Sequence, residues 1–469
     1  MKELLYIFIQ EEVEIVAENH QAHSLGFFAA LSTVAGTVIG SGIFFKVPAV
    51  TKATGSVGLA TFTWLLAGLI TICAGLTTAE LAAAYPQTGG MTLYIEKAYG
   101  HFWAFLSGWA QSLIYFPAQW AAAAIAFATQ FVDLFGLTDS WIPLIGIITT
   151  LTVLGLNLVS AKVGGMVSSL ALVIKLIPIV AIIVLAFFHP GDPQFRLFPV
   201  NANAHQNFWT ALGAGLLATM FAYDGWIHVG TLAGEMKNPR RHLPKAITLG
   251  LGLVMIVYLL ISLAFLYVAP MKVVANNLNI SAMVAKIVFG NIGGKIITIG
   301  IMVSVYGALN GFLMTGIRVP FVMGHMGYLP FSRAFRALNR GGVPWVGALV
   351  QLIIAIIMIL SGSYDLVTNM LVVVIWFFYL FCFGGVIILR RRQPELERPY
   401  QVPGYPVIPL IALAGGIFII ITTLITQPFV TMVGIVVTLL GIPIYLYQRS
   451  HHRIHEGWFW KGLLYEEST

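Results

Sequence analysis

Hydrophobic positions run through this chain in blocks of about 20 residues, the length a helix needs to cross a bilayer, separated by short polar connections. Twelve blocks are read, at 24–50, 58–84, 98–130, 141–160, 166–188, 207–234, 244–269, 283–316, 343–361, 366–389, 406–426 and 429–447. Several are longer than a straight span requires, which predicts tilt or kinks; Pro117 and Pro178, inside the third and fifth blocks, are the candidate kink positions. The pattern predicts an all-α polytopic membrane protein with 12 transmembrane helices.

Two blocks are interrupted. The first contains Gly36-Thr37-Val38-Ile39-Gly40-Ser41-Gly42, and each glycine weakens a helix by about 1 kcal/mol relative to alanine. The sixth contains Phe221-Ala222-Tyr223-Asp224-Gly225-Trp226, where a carboxylate beside a glycine is costly in an intact lipid-facing helix. Backbone freed from helical bonding is tolerated in lipid only where protein or a water-filled cavity covers it. Both interruptions begin roughly 18–21 Å from their entry faces, near the midplane. For the first alone, close helix packing through small residues explains the glycines as well; the matching second break favours a buried site.

The breaks lie about 185 residues apart, each in the first block of a group of five. Blocks 1–5 and 6–10 therefore read as inverted repeats with broken helices 1 and 6, because an odd number of spans flips the second copy. This organises the chain as a tail (1–23), a first repeat (24–188), a second repeat (207–389), a final helix pair (406–447) and a C-terminal tail (448–469).

Composition agrees with this reading. Of 469 residues 58% are hydrophobic and 9% charged, with mean hydropathy +0.88, against about 25% charged in an ordinary soluble domain. The net charge of +7 does not indicate nucleic acid, because of where the charges fall. With the N-terminus inside, eighteen of the 25 lysines and arginines lie on the inner side, six (Lys46, Lys52, Arg196, Lys272, Lys286 and Lys295) on the outer side, and Lys175 within a span. That bias sets the orientation; an even number of spans then puts both termini in the cytoplasm. The segment 1–16 lacks a basic stretch and cleavage site, so it is read as a tail rather than a signal peptide. The segment 451–469 fits an interfacial amphipathic piece better than a His451/His452/His455 metal site. Cys73 and Cys382 read as small buried hydrophobes. No metal or cofactor is expected.

The breaks define a chemistry. Half-helix N-termini offer free N–H groups suited to a carboxylate, and half-helix C-termini offer carbonyls suited to an ammonium. Facing breaks therefore match an α-amino acid. Lys175 lies about nine residues, roughly 13 Å, from the inner end of its span, too deep to snorkel; carbonyls freed at the first break are its natural partners. Broken first helices in both copies are the pattern of a secondary transporter, in which this lysine reads either as a fixed charge where others bind sodium or as a titrating proton carrier. Asp224 either tunes substrate charge or caps the break. Phe221, Tyr223 and Trp226 read as gating or packing aromatics, Glu80 and Glu235 as structural, and Tyr258, Ser304 and Asn310 as mid-span polar groups.

Gly36-Thr-Val-Ile-Gly-Ser-Gly-Ile-Phe44, Tyr85-Pro-Gln-Thr-Gly-Gly90 and Phe221-Ala-Tyr-Asp-Gly-Trp226 followed by Gly234-Glu-Met-Lys-Asn-Pro239 resemble the L-amino acid transporter family of the amino acid–polyamine–organocation superfamily. The nearest likeness is to bacterial serine/threonine and alanine–serine–cysteine exchangers. The resemblance, over about 24–447, implies a LeuT-like 5+5 fold and sodium-independent exchange of small neutral L-amino acids. It implies that the substrate carboxylate meets amides at Ser41, Gly42 and Ile43. The amino group would meet carbonyls near Val38 and Ile39 and from Phe221 through Ala222 to Tyr223, beside Asp224. It also implies that Lys175 couples to Gly36 and, through span 7, to Tyr258. Animal members bond a heavy chain through a cysteine in the outer loop after span 3; here Val132–Ser140 has none, so no disulfide-linked partner is expected. The main alternative is a proton-coupled symporter using Lys175. A channel or a membrane enzyme is disfavoured, because the spans carry no ring of pore charges and no nucleophile–base or metal constellation.

Overall fold

The computed structural model describes residues 27–86, 89–159, 175–202, 206–228 and 238–451. Both predicted tails (apart from 448–451), Gln87 and Thr88, the start of the fifth block, and Glu235 with the rest of 229–237 lie outside the described residues.

The first block is two helices, α1 (Phe27–Val38) and α2 (Gly42–Thr54). At 1.5 Å per residue neither crosses the ~30 Å hydrocarbon layer alone. Gly55, at φ 68°, ends α2 and Ser56 begins α3 (Val57–Ala84) by accepting the Leu59 amide at 3.1 Å, so two residues reverse the chain. A short helix, α4 (Gly90–Tyr99), precedes α5 (His101–Phe135). Then come α6 (Ile142–Val159), α7 (Lys175–Ala186) and α8 (Phe208–Ala222), the last capped by the Asn207 side chain. The second half continues with α9 (Pro239–Val268), α10 (Ile280–Gly316), α11 (Trp345–Leu360), α12 (Tyr364–Arg392), α13 (Val407–Thr426) and α14 (Pro428–Ser450). Among the described residues the only β pairing is an isolated bridge between Leu338 and Pro344.

Eight helices among the described residues are long and apolar enough to cross a membrane. The first, fifth, sixth and ninth blocks contribute shorter helices instead, α1 and α2, α7, α8 and α11. The most apolar window of α5 is 83% buried, against 33% and 28% for α13 and α14, so α5 is central and the last two helices are peripheral. Exposed Ile425 and Phe429 on those outer helices are surfaces for lipid rather than water. Around the centre, α9 packs on α3 and α1, α8 on α2, and α10 and α11 on α5.

In the third block both the predicted end and the predicted kink differ from the structure. The third block was placed at 98–130; its helix runs to Phe135, and Gly136 at φ 67° ends it, so the following loop starts four residues later than Val132. Instead of a simple bend at Pro117, the helix widens into a π turn at Gln111–Tyr115 just ahead of it. Proline lacks the N–H that would bond back into that turn, and a π turn is one way to absorb the missing bond.

Candidate functional site

An α-helix leaves its last carbonyls without intrahelical partners. At the end of α1 the Ala35 carbonyl accepts the Ile39 amide at 2.9 Å. The Gly36 carbonyl accepts from Lys175 Nζ, and the Ile39 carbonyl accepts from the same ammonium at 2.9 Å. The Val38 carbonyl accepts the Tyr258 hydroxyl at 2.7 Å. Lys175 and Tyr258 are both buried. The ammonium is thus held by carbonyls at the negative end of the α1 dipole. It reaches Tyr258 only indirectly, through the neighbouring Val38 and Ile39 peptides.

At the second break α8 ends at Ala222, and the chain turns through Tyr223, Asp224 and Gly225. The amides of Tyr223 and Asp224 bond back to Thr219 and Phe221 at 3.1 and 3.3 Å. Gly225 takes φ 107°, a conformation side chains rarely adopt, and a Cβ there would stand 3.2 Å from the Thr37 carbonyl. The breaks interlock. A Cβ on Gly42 would lie 2.5 Å from Ala222 Cα, Thr37 Oγ1 donates to the Gly225 carbonyl at 3.3 Å, and the Tyr258 hydroxyl also lies 3.0 Å from the Ala222 carbonyl. One phenolic hydrogen thus serves a carbonyl from each break.

Three helix ends meet here: the C-termini of α1 and α8 and the N-terminus of α2, where Ser41 makes no side-chain cap and its carbonyl takes the Phe44 and Phe45 amides at 3.1 Å, so that the amides ahead of Phe44 are the ones a helix start leaves without an intrahelical acceptor. Between them lies a narrow cavity of about 10 Å³, room for about one water molecule. Ligand pockets hold about 300–1,000 Å³, so the site is closed down in this structure, and a ligand enters only as the helix ends part. Main chain of Thr37–Val38 and Gly40–Gly42, with Phe221, forms one wall. Gln119, Ala123, Asp224, Ala308 and Phe312 form the other. Ile39, Ile43, Ala222 and Tyr223 are buried around it.

Asp224 is the most heavily bonded residue of this region. Its Oδ2 accepts from the Tyr115 hydroxyl and, at 2.8 Å, from Gln119 Nε2; its Oδ1 accepts from the Tyr379 hydroxyl at 2.7 Å. The Tyr115 oxygen in turn lies 2.8 Å from His228 Nε2. Tyr115, Gln119, Tyr379 and His228 were not singled out from sequence. Tyrosine, glutamine and histidine inside apolar spans read as packing until a partner is known, and here the partner is over 100 residues away for all four. A glutamine two residues beyond a mid-span proline was the one available signal.

Lys46 departs from its sequence reading. Counted among the outer-side charges, it is 0% exposed, because it sits a turn into α2 and its ammonium meets Asp365 of α12 at 2.6 Å. The Phe221 and Tyr364 rings lie 5.7 and 5.2 Å from that ammonium, and the Tyr364 hydroxyl donates to Ser41 Oγ at 3.2 Å. These groups roof the cavity at the α2 end. At the opposite end of α12, Arg390 holds buried Glu80 through two bonds of 2.8 and 2.6 Å, joined by the Val402 amide at 2.8 Å.

The remaining polar residues pack. Tyr223 donates to the Trp64 carbonyl at 3.1 Å, the Trp226 ring lies tilted 5.4 Å from that of Tyr379, and Asn310 accepts from Asn157 at 2.6 Å. Ser304 Oγ is buried without a partner. Among the described residues no group of His, Cys, Asp or Glu is placed to hold a metal ion; Cys73 and Cys382 are free thiols.

Comparison with known proteins is consistent along nearly the whole chain. Residues 25–446 match the family model described as amino acid permease. The serine/threonine exchanger SteT of Bacillus subtilis is 39% identical over 430 residues, 91% of this chain and 97% of that protein. The mouse Asc-type amino acid transporter 1 is 28% identical over 90% of this chain and 80% of its own length. The human cystine/glutamate transporter is 28% identical over 88% of this chain and 83% of its own. These relatives are transporters, not enzymes. The chain belongs to the amino acid permease family of the amino acid–polyamine–organocation superfamily.

Proposed function

We propose that this protein exchanges small neutral L-amino acids across the cell membrane by alternating access, without sodium, on a 12-span LeuT-like 5+5 scaffold with both termini in the cytoplasm. The observation that carries the reading is the meeting of three helix ends at one small buried cavity. An α-carboxylate takes the first-turn amides at Ser41, Gly42 and Ile43, with the positive end of α2 behind it. The α-ammonium takes carbonyls of Val38, Ile39 and Phe221–Tyr223, entering the set that Lys175 and Tyr258 now occupy.

That sharing suggests why exchange, rather than net uptake, is favoured. One hydroxyl hydrogen spans two carbonyls, so a substrate ammonium adds donors where the protein alone is short of them. An occupied site is then better satisfied during closure than an empty one. Lys175 supplies the fixed cation that ties α1 to α7. The Lys46–Asp365 roof and the Glu80–Arg390 floor act as the outer and inner closures. With no cysteine in the outer loop after α5, the reading is of a transporter that works without a disulfide-linked heavy chain.

A second reading, proton-coupled symport, has one observation in its favour, the burial of Lys175 against carbonyls only. Reconstituted vesicles separate the two. Exchange requires radiolabelled serine or alanine uptake to rise with amino acid inside and to ignore sodium. Symport requires uptake into empty vesicles driven by an imposed pH gradient.

A further inference from the structure

Between Glu235 and Asp365 the sequence holds no acidic residue. The connection from α10 to α11 lies inside that stretch and carries Arg333, Arg336 and Arg340, all exposed. None of these three guanidinium groups has a hydrogen-bond or ion-pair partner among the described residues. Lys46, Lys175 and Arg390, by contrast, are each held by a carboxylate or by carbonyls.

The connection is ordered and seated at the lipid boundary. Asn339 Oδ1 accepts the Gly341 and Val343 amides at 2.9 and 3.0 Å, and its Nδ2 donates to the Leu158 carbonyl at 2.7 Å. A Cβ on Gly341 would stand 2.4 Å from the Val159 carbonyl, so the chain lies directly on the end of α6. Both neighbouring helices are apolar on their exposed sides: Leu156 and Val159 at the end of α6, and Trp345, Leu349, Ile353 and Ile357 along α11. The spacing in α11 makes one face, which in a bilayer is turned to acyl chains. Trp345 begins that helix, where a tryptophan marks the level of the headgroups. Two residues ahead of Arg333, Phe331 is 84% exposed at φ 56°, a conformation that bulky side chains rarely adopt. The backbone thus holds an aromatic ring out of the protein beside the arginines.

We propose that the α10–α11 connection is a binding site for acidic phospholipid of the inner leaflet. The arginines take the phosphate groups, to which guanidinium offers paired donors. The acyl chains lie along the exposed faces of α6 and α11, and Phe331 and exposed Leu338 enter the layer between them. Charge selects the lipid: a zwitterionic headgroup brings its own cation toward three unpaired cations, and an acidic one does not. A free phosphate would engage the arginines but leave Phe331 and Leu338 in water. That the leaflet is the inner one rests on the orientation proposed above; the site itself does not depend on what the protein transports.

The experiment uses the intact protein in an uncharged detergent, titrated with phosphatidylglycerol, phosphatidylcholine or inorganic phosphate. Bound lipid is counted by mass spectrometry of the intact complex, and the thermal unfolding midpoint is followed alongside. Each basic residue beside an acidic headgroup layer contributes about fivefold in affinity. Replacing all three by Arg333→Gln, Arg336→Gln and Arg340→Gln is therefore expected to raise the half-saturating phosphatidylglycerol concentration about a hundredfold. The lipid-free unfolding midpoint should stay where it was, since these side chains have no partner to lose. Phe331→Ser is expected to weaken binding about tenfold, by withdrawing a ring from the apolar layer. A control triple at exposed basic residues assigned to the same side, Lys245→Gln, Arg391→Gln and Arg449→Gln, is expected to bind like the unaltered protein. Equal binding of phosphatidylcholine and phosphatidylglycerol overturns the inference. So does stabilisation by inorganic phosphate equal to that by lipid, or a control triple that loses as much binding as the loop triple. No transport is read, so each outcome stands apart from the exchange reading.

Discussion

At the scale of single residues, three side chains hold the breaks together. Lys175 satisfies two carbonyls at the end of α1. Its removal leaves them buried and unpaired at about 1–3 kcal/mol each. Lys175→Ala is expected to purify as a folded protein with lowered melting temperature and impaired or one-sided transport; equal kinetics from both faces would refute its coupling role. Tyr258→Phe removes the hydrogen shared by Val38 and Ala222 and is expected to slow exchange while keeping the ring's packing on Trp64 and Tyr223. Gly42→Val puts a branched Cβ into Ala222, where overpacking costs about 1–3 kcal/mol or more. Loss of substrate-induced thermal stabilisation is the expected result, and normal affinity would remove the carboxylate assignment. Residues of this kind were legible in sequence where they violate the rules of their segment. Three glycines in a span, a carboxylate beside a glycine, and a lysine too deep to snorkel each announce themselves. Tyr115, Gln119 and Tyr379 did not, since each is ordinary in its own span and becomes informative only once folding sets it against Asp224.

At the scale of elements, α2 and α12 are tied at one end and α3 and α12 at the other. The α2–α12 tie is Lys46 with Asp365 under two aromatic rings; the α3–α12 tie is Glu80 with Arg390. A helix clamped at both ends is a natural place for alternate opening. Asp365→Asn weakens the first clamp, leaving a buried ammonium with less compensation. In a Cys73→Ala, Ser41→Cys background, it is expected to speed labelling by a membrane-impermeant thiol reagent added on the outer side. Labelling no faster than in the Asp365 parent would show that the pair does not limit opening. Hydropathy alone could not locate this clamp. It placed Lys46 correctly near the end of a long apolar block, but its partner lies 319 residues away, and one buried lysine at a span end looks like an ordinary flanking charge. The helices themselves were easier to read, because long apolar blocks with few charges have little alternative in a membrane. Their exact ends moved where Gly136 and the π turn before Pro117 intervene.

At the scale of the whole molecule, the broken first helix and the end of α8 share one cavity because Gly42 and Gly225 let their backbones come within reach of each other. The family to which the chain belongs transports amino acids, and the exchange reading follows from how the cavity's carbonyls are supplied with donors. The most direct test is radiolabelled serine uptake into proteoliposomes, loaded with serine or empty, in sodium or choline buffer without a pH gradient. The account predicts strong acceleration by internal serine and the same rate in either buffer. Equal uptake into loaded and empty vesicles, or uptake that requires sodium, would contradict it.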